Sequence, residues 1–193
     1  MNLADNINNA FDVVVKTYEN LDKLMRFCDS IANECNYIPS TENYFLRYKS
    51  DANYNGWLIT SFIKLFQANE DPELENEWRE GPLFGMDIYL VGPPVIYLAK
   101  YEFEKISDWT HSYFSAAAHW LFAQPIYSEG YNFLRENIDK DNKAYFGSCP
   151  SSTLKERYWN LERVVYTKID LTVINADNVK ELIFGEFDNL KSL

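Results

Sequence analysis

The sequence predicts an α+β fold. An antiparallel sheet of about five strands, two hairpins plus one late strand, is covered by a long N-terminal helix, a central helical segment and a C-terminal helix. Three observations predict it. The first is a run of apolar residues at alternating spacings of four and three: Ile7, Phe11, Val14, Tyr18, Leu21, Met25, Cys28, Ala32 and Cys35. That spacing puts one apolar side on an α-helix. The second is a pair of strand–turn–strand patterns between residues 43 and 104. The third is helical spacing from Asp108, followed by alternation through Val165, Thr167, Ile169, Leu171 and Val173 and a closing helical run.

The first helix spans residues 1–37, roughly 45–50 Å at ~1.5 Å per residue, so it must cross a sheet, bend or meet another helix. It stops near Tyr37 because Pro39 disfavours helical geometry at Ile38. Phe11, Tyr18 and Ala32 suit packing on a sheet better than a coiled-coil seam, with dimerisation through this helix as the other use of the stripe.

Tyr44 to Lys49 alternates as a strand, Asn53 to Gly56 is a turn, and Trp57 to Gln67 carries apolar residues on both faces, as a central strand does. The second hairpin is Leu83–Val91, a Gly92-Pro93-Pro94 turn, and Val95–Glu104, with the prolines confined to the turn. Over 108–139 two helices are expected, one from Asp108 ending before Pro125 and one from Ser128 to Ile138. Lys140 to Pro150 reads as irregular. Within 153–193, Thr153 and Glu156 form a capping-box pair, although the same residues could lead straight into the strand. The helix Asp177–Lys191 closes the chain, with Val179, Leu182, Ile183, Phe187 and Leu190 inward. No linker or repeat divides these elements, so one domain of 193 residues is expected.

Bulk properties narrow the function classes. The chain is 47% hydrophobic with a formal net charge of −11, and such a field repels phosphate backbones, so nucleic acid is not an expected partner. No segment approaches the ~20 apolar residues of a membrane span. The first basic residue is Lys16, which predicts no secretory signal and a cytoplasmic protein. Cys28, Cys35 and Cys149 have no disulfide framework spacing and read as free thiols.

Catalytic signatures are absent. No phosphate-binding glycine loop, nucleophile elbow or metal-ligand spacing occurs, so neither cofactor nor metal is expected. A metal-dependent nuclease pattern starting from Asp87 fails, because Leu98 and Phe103 stand where a second acid is needed. His111 and His119, eight apart on the expected helix, lie too far apart to share an ion. Cys149, in Phe146-Gly147-Ser148-Cys149-Pro150, is the best nucleophile candidate if His119 or His111 activates it.

The densest charge lies at Glu70, Asp71, Glu73, Glu75, Glu77 and Glu80, six carboxylates in a loop or short helix with Arg79 as the one cation. Trp78 sits among them, and with Phe84 it would suit a protein interface. Two functions follow. One is a non-catalytic acidic interaction protein, of immunity or inhibitor type, that binds a basic partner protein through residues 70–80. The other is a small-molecule-binding or hydrolytic enzyme with a pocket near His111, His119 and Cys149.

Overall fold

A computed structural model describes residues 2–52, 54–109, 115–127, 134–139, 144–148 and 151–193. Its elements are helix α1 (Leu3–Ile31), strands β1 (Tyr37–Pro39), β2 (Ser61–Ala68), β3 (Leu83–Tyr89) and β4 (Val95–Phe103), helix α2 (His119–Tyr127), strands β5 (Leu134–Asp139) and β6 (Ala144–Ser148), helix α3 (Ser152–Arg157), strand β7 (Leu161–Asp170) and helix α4 (Glu186–Lys191). The strands form one seven-stranded antiparallel sheet in the order β1-β2-β3-β4-β7-β6-β5. The fold is α+β, and the β3–β4 hairpin pairs from Leu83↔Tyr101 to Tyr89↔Val95 as its alternation requires.

Alternation sorts the sheet into two apolar faces. Phe62, Phe66, Phe84, Met86, Ile96 and Leu98 face one way and meet Leu21, Met25, Cys28 and Ile31 of α1, together with Ile183, Phe184 and Phe187 of the C-terminal helix. Ile63, Leu65, Ala99, Tyr101 and Val164 face the other way, under Leu121, Phe122 and Ile126 of α2. Helices therefore cover both faces. The strand sequences already required this, because β2 and β3 have no polar face to give to water.

Helix α1 starts with a capping box in which the Asn2 side chain accepts from the Asp5 amide and Asp5 accepts from Asn2. Only its second half packs on the sheet. Leu3 is 74% exposed and Phe11 65%, so the apolar stripe runs beyond its own core and Phe11 does not pack on the sheet as expected.

Several boundaries differ from the sequence reading. Tyr44–Lys49 is not a strand, and its backbone bridges to β2 at Leu46↔Ile63. The edge beside β2 belongs instead to Tyr37–Pro39, short and ending in proline as edge strands often do. The cause lies in Lys64, whose ammonium takes the carbonyls of Thr41, Glu42 and Tyr44 and turns that backbone away from the ladder. Strand β2 begins at Ser61 rather than Trp57, which is exposed.

Downstream, Trp109 is extended, and α2 begins at His119 and runs through Pro125. Burial of Phe122, Ala123 and Ile126 offsets the carbonyl that Pro125 leaves without its helical donor. Leu134–Asp139, expected as helix, is strand β5, and Ala144–Ser148, expected as irregular, is β6. Pairing onto β7 overrides local preference there. Residues 153–163 contain both helix and strand. Helix α3 is capped by Ser151, whose hydroxyl accepts from the Leu154 amide, so the predicted Thr153 cap is two residues late. The late strand ends at Asp170, where its carboxylate caps the turn at Thr172. The closing helix opens with a π-helical turn, Lys180–Gly185, and buries Phe184 beside the predicted positions.

One close approach is specific to glycine. A Cβ on Gly85 would lie 2.8 Å from Tyr101 Cε2, and that ring is pinned by its hydroxyl donating to the Phe122 carbonyl at 2.9 Å. Gly85→Ala is expected to lower stability by about 1–3 kcal/mol in chemical denaturation. An unchanged midpoint would show that the ring yields.

Candidate functional site

The first strand residue of β2 and the middle of β3 bring two polar side chains to the α2 face of an otherwise apolar sheet. Ser61 and Asp87 lie diagonally across the β2–β3 ladder, and the Ser61 hydroxyl donates to Asp87 Oδ1 at 2.7 Å. Two residues of α2 reach the same hydroxyl: His119 Nε2 at 2.6 Å and Tyr127 OH at 3.2 Å. Asp87 is 1% exposed and His119 8% exposed, so this is a cluster inside the protein. Around Tyr127 the sheet presents Tyr89 and Tyr97, with ring centroids 4.6 Å and 5.5 Å away.

Burial raises the Asp87 carboxyl to about 6, opposed by the Ser61 hydroxyl, Tyr127 and the Phe62 amide. Among the described residues its Oδ2 has no hydrogen-bond partner. Burial also lowers His119 to about 4, so the ring is neutral near pH 7. Tyr127 is raised by burial and then by the Asp87 charge.

These facts order the protons. With Asp87 ionised, the single Ser61 proton goes to its Oδ1, so His119 Nε2–H donates to a Ser61 lone pair, while the Tyr127 hydroxyl lies within reach of both Ser61 and Asp87. His119 Nδ1 is then an acceptor, with no partner among the described residues. We predict that ring ¹⁵N shifts will report the Nε2–H tautomer at pH 7. A dominant Nδ1–H form would reverse this proton order.

The cluster is not a nucleophilic triad. Asp87 holds Ser61 rather than orienting His119, and Ser61 is buried with its proton committed to a carboxylate. What reaches a surface is His119. It lines a groove of about 860 Å³ between the 47–49 segment and α2, together with Tyr127, Trp120, Gln124, Arg47 and Lys49. The Arg47 amide donates to the Ala116 carbonyl at 3.0 Å, which ties one wall of the groove to the turn that leads into α2. Gln124 is held by the Tyr158 hydroxyl.

No protein-family model, curated protein or solved structure matches this chain.

The candidates read from the sequence have different fates. His119 is at the site, while His111 and Cys149 lie outside the described residues. Cys28 is buried with its thiol raised to about 12, and Cys35 is half-buried; both are free. Among the described residues no group of three His, Cys, Asp or Glu side chains could hold a metal ion, and no helix is long and apolar enough to cross a membrane.

The acidic stretch is a loop closed by a bridge between Glu73 and Arg79, not a helix. Glu73, Glu75, Glu77 and Glu80 are exposed, Glu70 pairs with Lys191, and Asp71 is half-buried with its carboxyl raised by burial. Trp78, read as a surface aromatic, is 2% exposed and packs edge-on against Trp109 at 5.4 Å, and Phe84 is wholly buried. Both are core residues, Trp78 in the cluster under α2 and Phe84 in the cluster under α1 on the opposite face of the sheet. Ser61 was missed by the sequence reading. Its signal was a polar residue opening a two-faced apolar strand, matched by Asp87 alone in Leu83–Tyr89.

Proposed function

We propose that this protein binds a small molecule in the groove between residues 47–49 and α2. The observation that carries this reading is His119, 8% exposed, hydrogen-bonded through Nε2 to the Ser61 hydroxyl and set in the wall of the groove. A polar group so fixed and so shielded resembles the few placed polar groups that orient ligands in otherwise apolar pockets. The groove volume is within the range of such sites.

A fragment screen read by thermal shift tests the reading, with Ala117→Trp as the control that fills the groove from an exposed position. A ligand at 100 times its Kd should stabilise the protein by about 2.7 kcal/mol, roughly 5–10 °C for a chain of this size. Ala117→Trp should abolish that shift. Hits that persist unchanged in Ala117→Trp would place binding elsewhere and overturn the reading.

A second reading has its own support. The loop 70–80 is held in place by buried Trp78 and by Asn76, which donates to the carbonyls of Ile106 and Trp109, so four exposed carboxylates stand on a fixed frame. A basic protein partner would be steered to it by charge, and its association rate should fall with salt and with neutralisation of Glu73, Glu75 and Glu77. Binding that survives both changes would exclude this surface.

A further inference from the structure

We propose that two copies of this chain pair through the N-terminal half of α1, antiparallel, with Ile7 of each helix against the partner's Phe11. The inference is independent of the groove. It rests on an apolar stripe that outruns its own core.

From Tyr18 onward the stripe is in use. The Tyr18 hydroxyl donates to the Ile59 carbonyl at 2.7 Å, and Leu21, Met25 and Cys28 pack on the sheet. Before Tyr18 the same line continues through Val14, Phe11, Ile7 and Leu3 at spacings of three and four, and there Leu3, Ile7 and Phe11 are exposed. This half is also a poor helix former. Asn6, Asn8, Asn9 and the run Val13-Val14-Val15 rank low in helix propensity, and an isolated helix of about 15 residues is marginal in water even with good formers. A helix of this composition needs contact along its apolar side.

Charge, space and area together select the occupant. The protein carries a formal net charge of −11, yet the charged residues of 3–17 are only Asp5, Asp12 and Lys16. Seven and then four apart, these three share the side of α1 that faces away from the stripe. Two copies of the stripe therefore meet without the like-charge repulsion that most of an acidic surface would bring. Space fixes the direction. The stripe and the sheet lie on the same side of α1, so parallel helices would drive both sheets into one volume. Antiparallel helices about 8–10 Å apart avoid this, because each sheet then lies beyond the N-terminus of the other helix. Setting Ile7 opposite the partner's Phe11 puts Val14 opposite the partner's Ala4 and leaves Tyr18 of each copy on its own sheet. Each face offers about 400–600 Å² of accessible surface, large for a patch on a monomer. Two faces bury about 1,000 Å², near the lower bound of a specific interface, so a micromolar dimer is expected. A two-fold pair of identical faces is closed and goes no further.

Sedimentation velocity across about 1–200 µM tests the pairing, with the mass expected to climb toward twice 22.7 kDa. Ile7→Asp/Phe11→Asp should weaken association by more than about tenfold, because pairing would bury the new charges. Asp12→Lys, on the far side of the helix, should leave it unchanged. Both replaced apolar residues are exposed in the single chain, and an unchanged near-ultraviolet circular dichroism spectrum will show an intact core. Phe11→Gln, which adds no charge, gives the same comparison should the double variant misfold. Direction is read by oxidation. Ile7→Cys mixed with Phe11→Cys should cross-link to each other faster than either does to itself, with the joined peptides mapped by mass spectrometry. A single-chain mass at every concentration would overturn the proposal. So would a dimer indifferent to Ile7→Asp/Phe11→Asp, which must use another surface. Faster self-cross-linking of each cysteine variant alone would overturn the antiparallel arrangement.

Discussion

Replacing Lys64 with methionine is expected to destabilise the protein by about 3–5 kcal/mol, because it strands a carboxylate and several carbonyls in the interior. Lys64 points from β2 to the α1 face of the sheet with its side chain 3% exposed, and it donates to Asp29 of α1 at 2.7 Å. It also reaches the carbonyls of Thr41, Glu42 and Tyr44, so one ammonium joins helix, strand and connecting segment. Beyond Lys64, Asp29 has only the more distant charge of Arg26. Among the described residues its Oδ1 is buried without a partner, and burial raises its pKa even against the pull of Lys64. For a chain of this size the loss corresponds to a fall in Tm of about 6–20 °C. Lys64→Met/Asp29→Leu should recover much of it, since removing both charges also removes the desolvation each one suffers. A double variant no more stable than Lys64→Met would locate the cost in the carbonyls of residues 41–44 instead.

The polar cluster should carry two opposed pH dependences. Asp87 has a folded pKa of about 6, above its ordinary 3.8, so the folded state holds this proton more tightly. Its contribution is fully present below pH 4 and is lost as pH rises toward 6, about 3 kcal/mol in all. His119 is lowered to about 4 from 6.5, so the unfolded chain binds its proton first. Its contribution is present above pH 6.5 and is lost as pH falls toward 4, again about 3 kcal/mol. In the intact protein the two nearly cancel between pH 4 and 6.5. Removing one exposes the other. Relative to the unsubstituted protein, Asp87→Asn should lose stability as pH falls from 6 to 4, whereas His119→Gln should gain it over the same interval. Denaturation midpoints at four or five pH values decide this, and difference curves of the same sign would refute the opposition.

Much of this was legible in the sequence for local reasons. The stripe from Ile7 to Cys35 and the alternation about Gly92-Pro93-Pro94 needed only near neighbours to show a helix and a hairpin. Leu134–Asp139 and Ala144–Ser148 were misread because their state depends on β7, which supplies their ladder from further along the chain. Trp78 was misread because its neighbours in sequence are acidic while its neighbours in space are Trp109 and the sheet. The site was half legible: His119 stood out by rarity, whereas Ser61 gave only the weak sign of a hydroxyl opening an apolar strand.

By itself the sequence determined the α+β class, the long first helix, the second hairpin and an acidic loop, because side-chain periodicity and turn chemistry act over a few residues. Tertiary structure alone decided which strand borders β2 and that residues 61, 87, 119 and 127 share one hydroxyl. These depend on contacts between segments tens of residues apart, where burial and the need to satisfy Lys64 and Asp87 outweigh local preference.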